Sequence, residues 1–252
     1  MSIDVVVHAD PAVLAEAVAA RLLVRLVDAQ AERGEATVVL TGGGIATDIY
    51  RAVAASPARH AVDWARVTLW WGDERFLPDG DPHRNATSAL AALSALPLEP
   101  QRVHPMPASD GPDGPDPEAA AARYAAELAA AGYPADLPHF DVLLLGVGED
   151  GHVASVFPEH PSVYETRTVC AVRGAPKPPP VRISLTLPSI RRAEQVWLVA
   201  AGPAKADAVG LAFSGAGPTQ VPAAGARGLD RTLWLLDRAA AARVSPRLRS
   251  LR

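Results

Sequence analysis

One cysteine stands among 252 residues, so no intramolecular disulfide can form. Cys170 lies in the apolar run Thr168-Val169-Cys170-Ala171-Val172 and reads as a buried structural thiol rather than a nucleophile. No stretch approaches the about 18 uninterrupted apolar residues of a membrane span. Residues 1–8 lack the basic start and long apolar run of a secretory leader, so a cytoplasmic protein without a membrane partner is expected. A basic excess is missing too. The formal net charge of −4 argues against a nucleic-acid partner but is compatible with a local basic pocket. No His/Cys/Asp cluster has metal-ligand spacing, so no metal is expected.

What is present is an ordinary globular balance, 49% hydrophobic and 21% charged. Strand-like and helix-like patterns alternate. Residues 3–8, 37–40, 67–71, 142–145, 181–187, 195–200 and 233–236 read as strands. Residues 11–31, 44–55, 85–96, 117–131 and 203–213 read as helices. Residues 142–145 are nearly all apolar, as a strand buried on both faces should be. The alternation predicts an α/β fold, a mainly parallel sheet with helices on both faces. Residues 1–252 are expected to form one domain, since the Pro/Gly-rich stretches 105–117 and 174–180 separate no self-sufficient cores. In such a fold ligands bind beyond the carboxyl ends of the strands, which directs attention to the loops there.

Four loops carry residues suited to chemistry. The first, Thr41-Gly42-Gly43-Gly44, follows a strand and opens a helix, where backbone N–H groups and the helix dipole favour an anion. It is neither a Walker A loop nor a GxGxxG fingerprint, and a plain tight turn is the alternative. The second, Gly72-Asp73-Glu74-Arg75, sets paired acids beside a guanidinium, and His83-Arg84-Asn85 can reach the same rim; a structural ion pair is the bland reading. The third, Gly146-Val147-Gly148-Glu149-Asp150-Gly151-His152, ends the most apolar strand on the side chain best suited to proton transfer near neutral pH. His60, His104 and His139 lack that setting and read as surface or structural residues. The fourth comprises Lys177, Arg182 and Lys205: cations for a phosphate, or solvated charges.

Together these loops resemble the 6-phosphogluconolactonase family, within the wider group that holds glucosamine-6-phosphate deaminase and ribose-5-phosphate isomerase. The matching stretches run from Thr37 to about Lys205. The strongest is Phe140-Asp141 through Leu145-Gly146-Val147-Gly148-Glu149-Asp150-Gly151-His152-Val153-Ala154-Ser155-Val156-Phe157-Pro158; the next is Gly72-Asp73-Glu74-Arg75-Phe76-Leu77-Pro78 with Asn85. Two positions depart from the family pattern. The first loop usually reads Ser-Gly-Gly-Ser-Thr-Pro, which leaves backbone donation as its means of holding substrate here, and Arg84 stands where relatives often carry serine. Deaminases continue past the histidine with Phe-Asn-Glu-Pro; the Ser155-Val156-Phe157-Pro158 of this chain favours the lactonase branch.

The resemblance implies a Rossmann-like fold and hydrolysis of 6-phospho-D-glucono-1,5-lactone to 6-phospho-D-gluconate without a metal or any other cofactor, in the oxidative pentose phosphate pathway. On that reading His152 is the base for the attacking water and Asp73 orients substrate or water. Thr41, Gly42, Gly43 and Gly44 offer N–H groups, and Asn85, Gly148 and Asp150 complete the substrate site. Arg75, Arg182 and Lys205 hold the phosphate, with Arg84 and Lys177 as further candidates. The partner is the small phosphosugar lactone, and a monomer or weak homo-oligomer is expected. The rival readings are a sugar-phosphate isomerase or deaminase of the same group, and a non-catalytic domain that senses sugar phosphate.

Overall fold

The computed structural model describes residues 2–248. Ten strands form: β1 (Ser2–His8), β2 (Ala36–Leu40), β3 (Val67–Trp71), β4 (Asp73–Arg75), β5 (Val103–His104), β6 (Val142–Gly146), β7 (Val169–Val172), β8 (Arg182–Leu185), β9 (Gln195–Ala200) and β10 (Arg231–Asp237). The α-helices are α1 (Pro11–Arg33), α2 (Gly44–Ala55), α3 (Asn85–Ala92), α4 (Pro117–Gly132), α5 (Leu187–Ile190), α6 (Ala206–Ala212) and α7 (Pro222–Gly225). Seven strands make one sheet in the order β1-β10-β9-β6-β2-β3-β5, every pairing parallel. The expected mainly parallel α/β sheet is therefore what forms.

Local chemistry explains the elements. Helix α1 starts where the Asp10 carboxylate accepts the Val13 N–H, with Pro11 in its first turn. It stops at Gly34 in the left-handed region, φ 80°. Its buried side chains Leu14, Val18, Leu22 and Leu26 recur at the i, i+4 spacing of one helical face. Strand β2 is buried along its whole length, as a central parallel strand must be. Two tyrosines tie helices to strand ends. The Tyr50 hydroxyl accepts from Thr41 N and donates to Thr41 O; the Tyr124 hydroxyl accepts from Trp71 N and donates to the carbonyls of Trp71 and His104. Burial pushes both phenols well above their ordinary range, so they stay neutral clasps.

The sequence pattern of residues 181–187 suggested another strand of the same alternation. In fact β8 leaves the main sheet and forms a small antiparallel sheet, β4-β8-β7. Its register sets Asp73 opposite Ser184, Glu74 opposite Ile183 and Arg75 opposite Arg182. The main sheet winds outward in two directions: β2 to β3 to β5 one way, β6 to β9 to β10 the other. The carboxyl ends of β2 and β6 thus flank the point where the strand order reverses, where the connecting loops part and leave a crevice. Cys170 is buried, and burial pushes its thiol up to about 12. His104 stacks on Trp70 with ring centroids 4.1 Å apart and meets Glu127; both readings from the sequence hold.

Candidate functional site

A cavity of about 520 Å³ opens at that crevice, within the usual span of small-molecule sites. Of the residues singled out in the sequence, it brings together Thr41, Gly42, Gly43, Gly44, Asp73, Arg75, Asn85, Gly148, His152, Lys177, Arg182 and Lys205. They arrive on different elements: the β2–α2 loop, β4, the start of α3, the loop after β6, β8 with the loop before it, and the turn after β9. Pro11, Asp48 and Ala154 also line it and were not anticipated.

His152 is held from two sides. The Asp150 carboxylate meets its Nδ1, and the Phe157 ring lies 4.6 Å from the imidazole, centroid to centroid. Burial opposes the charged form of Asp150, yet the hydrogen bond from His152, the imidazole's charge and Lys177 outweigh it and hold the carboxyl at about 2. Asp150 is therefore an acceptor throughout the neutral range, which favours the tautomer with the proton on Nδ1 and the lone pair on Nε2. Gly148 is dictated by this arrangement. A Cβ there would lie 2.0 Å from His152 Nδ1 and 2.5 Å from Asp150 Oδ1. We expect Gly148→Ala to displace the imidazole and lower kcat by roughly 10²-fold, the cost of misplacing a reacting group by about 1 Å, while circular dichroism stays native.

Asp73, 6% exposed, accepts the Ser155 hydroxyl at 2.7 Å on one carboxylate oxygen and Asn85 Nδ2 at 3.3 Å on the other. Ser155 was quoted above only as part of a family signature. Its signal was a lone hydroxyl in the apolar run Val153-Ala154-Ser155-Val156-Phe157. Ala154 takes the left-handed conformation, φ 49°, a strain seen where surrounding structure fixes a functional loop. The bend lets one short segment place Ala154 at the cavity and Ser155 on Asp73. Gly42 is equally constrained, since a Cβ would lie 1.9 Å from Asn85 Oδ1.

Four cations face the cavity in two mutually repelling pairs. Arg75 and Arg182 stand directly opposite across the β4–β8 ladder, a placement of like charges that costs stability. Burial, together with Arg75, lowers the pKa of Arg182 although Asp73 opposes the shift. Burial likewise lowers that of Lys205, with Lys177 pushing the same way and Glu149 against it. Arg75 Nε is buried without a hydrogen-bond partner, while Arg75 Nη1 donates to His83 O. Arg182 has a double role: Nε donates to Pro179 O and Nη2 to the carbonyls of Lys177 and Pro178, which shapes the loop that carries Lys177.

Two residues are not brought to the cavity. Arg84 is 2% exposed, and its guanidinium donates to the carbonyls of Leu77, Met106 and Pro107; it braces the fold and offers nothing to a phosphate. Asp150 does not line the cavity and meets His152 Nδ1 instead. Glu74, the second acid of the loop, is 0% exposed and accepts the N–H groups of Arg75, Asn85 and Ala86. It caps α3, whose own N-cap residue Arg84 makes no side-chain cap. At the opposite end of the sheet, His139, Asp141 and Glu194 approach one another closely enough for a metal ion. There Arg25 donates to both carboxylates and Arg33 meets Asp141.

Residues 9–234 match the family described as glucosamine-6-phosphate isomerases/6-phosphogluconolactonase. A 6-phosphogluconolactonase of Streptomyces coelicolor is 64% identical over 246 residues, 96% of this chain and 94% of that protein. One from Mycobacterium tuberculosis is 48% identical over 247 residues, 97% and 99% of the two chains. The structure of 6-phosphogluconolactonase from Trypanosoma brucei superposes with a TM-score of 0.82 at 26% identity, covering 97% of this chain and 99% of that one.

Proposed function

The chain belongs to the glucosamine-6-phosphate isomerase/6-phosphogluconolactonase family and is an enzyme of its lactonase branch, and we propose that it hydrolyses 6-phospho-D-glucono-1,5-lactone to 6-phospho-D-gluconate with His152 as the base. One observation carries this reading. His152, whose Nδ1 meets the Asp150 carboxylate, shares one cavity with four cations, Arg75, Lys177, Arg182 and Lys205.

The steps follow from the groups present. The phosphate dianion lies among Arg75, Lys177, Arg182 and Lys205, where it relieves their mutual repulsion; arginine adds a two-pronged contact. Backbone N–H groups of the Gly42-Gly43-Gly44 loop and the N-terminus of α2 face the same space and stabilise negative charge on substrate oxygen. Gly43, with φ 107°, allows the loop this turn. His152 Nε2 removes a proton from water as the water oxygen bonds to the lactone carbonyl carbon. The tetrahedral intermediate collapses with cleavage of the bond to the ring oxygen, and the imidazolium returns the proton to that oxygen. Asp150 stabilises the imidazolium between the two transfers. Asp73, pinned by Ser155 and Asn85, orients substrate hydroxyls or the water.

The test is lactone consumption followed by NMR, with the spontaneous reaction subtracted. Inorganic phosphate is expected to compete with substrate, raising KM and leaving kcat unchanged. If KM does not respond to phosphate, the anion site assigned here is wrong. If the enzyme accelerates isomerisation or deamination of a hexose 6-phosphate and not lactone opening, the reaction is wrong.

A further inference from the structure

Lys205 reaches the cavity from a short turn. Gly202, at φ 90°, leads into the single 3-10 turn Pro203–Lys205, closed by the Lys205 N–H donating to Gly202 O at 3.2 Å. Pro203 and the positive φ shape the turn but do not say where it sits. That is settled from the neighbouring strand. Leu236 of β10 pairs with Ala200 of β9, so the next residue, Asp237, stands beside the departing turn. Asp237 is buried, 2% exposed as a residue. Gly202 N–H is shared between its two carboxylate oxygens at 3.1 Å each, and Ala240 N–H donates to Oδ1 at 2.7 Å. Asp237 is not among the cavity residues.

A buried carboxylate is a costly way to fill space, and it persists where the charge-assisted bonds it makes matter. Here both donors are backbone N–H groups, one of them at the root of the turn that carries Lys205. Lys205 is drawn two ways: burial and Lys177 disfavour its charged form, while Glu149, 4.0 Å from its Nζ, and Asp150 favour it. Glu149 is itself exposed, so without an anchored turn the four-carbon side chain could follow it out of the cavity.

We propose that Asp237 is a positioning residue for the anion site, holding the Gly202–Lys205 turn so that the Lys205 ammonium stays in the cavity and substrate affinity depends on a carboxylate that never touches substrate. This rests on Lys205 as a phosphate ligand. A purely structural carboxylate would affect stability and turnover together; a positioning one affects binding.

The experiment is steady-state kinetics on Lys205→Met, Asp237→Asn, Gly202→Ala and the double variant Asp237→Asn/Lys205→Met, with inorganic phosphate as competitive inhibitor. Lys205→Met is expected to raise KM and the phosphate Ki about tenfold or more, the effect of losing a charged hydrogen bond. Asp237→Asn keeps the volume but turns an amide N–H₂ towards a donor, and should raise both constants roughly 3–10-fold with kcat within about twofold, the pattern of lost binding rather than lost transition-state stabilisation. In the Lys205→Met background the same change should add less than about twofold, because the group it positions is gone. If Asp237→Asn lowers kcat as much as it raises KM, or acts equally in both backgrounds, the proposal is overturned. If Asp237→Asn does not fold, Gly202→Ala decides: it strains the same turn, and an unchanged KM overturns the proposal. Should Lys205→Met itself leave KM and Ki unchanged, the phosphate role of Lys205 fails first, and the two failures are thereby distinguished.

Discussion

His152→Gln is expected to lower kcat by roughly 10²–10⁴, the span associated with loss of a general acid–base group, with KM little changed. Glutamine keeps polarity and approximate size and removes titration, so the loss isolates proton transfer from packing. His152→Ala should lose at least as much, since it also empties the space against Phe157. Asp150, held at about 2, stays an acceptor beside the imidazole throughout the neutral range and contributes no inflection to the pH profile there. Stopped-assay NMR across pH, corrected for spontaneous lactone opening, checks both points. If His152→Gln retains more than about a third of wild-type kcat, far above the range for a lost base, His152 is not the base and Asp73 is the next candidate.

The largest effect on stability is expected at Glu74. Its carboxylate accepts three backbone N–H groups and lies 3.9 Å from the Arg84 guanidinium, with both side chains buried. Glu74→Leu leaves those donors and that cation uncompensated, which costs about 3–5 kcal/mol when one partner of a buried charged set is removed. For a chain of this length that lowers Tm by roughly 6–20 °C. Activity at low temperature should also fall, since Asn85 would no longer be held against Asp73. Glu74→Gln separates shape from charge. Burial is the main influence on the Glu74 carboxyl and raises its pKa, while the N–H groups of Ala86, Asn85 and Arg75 and the charge of Arg84 work the other way. Because the folded value lies above the unfolded one, the folded state binds more protons between them, and wild-type stability declines as pH rises from about 4.5 through the raised value. The Tm advantage of wild type over Glu74→Gln should therefore shrink with rising pH across that window. An advantage that grows would show that the charged form is the one the fold prefers.

The acids of the second loop show where reading residues in order runs out. Asp73 and Glu74 are adjacent and chemically alike, and nothing in their spacing says which faces a ligand. Alternation along β4 separates them: Asp73 lines the cavity, and Glu74 turns to the N-terminus of α3. The same holds for Arg84 and Asn85. One is directed to carbonyls in the interior and the other to the cavity, by a helix start that the sequence placed correctly but could not orient. Ser155 and Asp237 went unassigned because their partners, Asp73 and Gly202, lie 82 and 35 residues away.

The sequence by itself determined the α/β alternation, the buried parallel strands and the loops that line the cavity. Those depend on local quantities: hydrophobic period, glycine at tight turns, and histidine directly after a buried strand. Tertiary structure decided what the loops amount to. Only the strand order shows that β2 and β6 part at the crevice. Only the antiparallel excursion of β8 sets Arg182 against Arg75, because pairing of residues more than a hundred positions apart follows from burial of the whole core and leaves no periodic trace in either segment. The juxtaposition of two guanidinium-bearing residues at the cavity arises from that pairing.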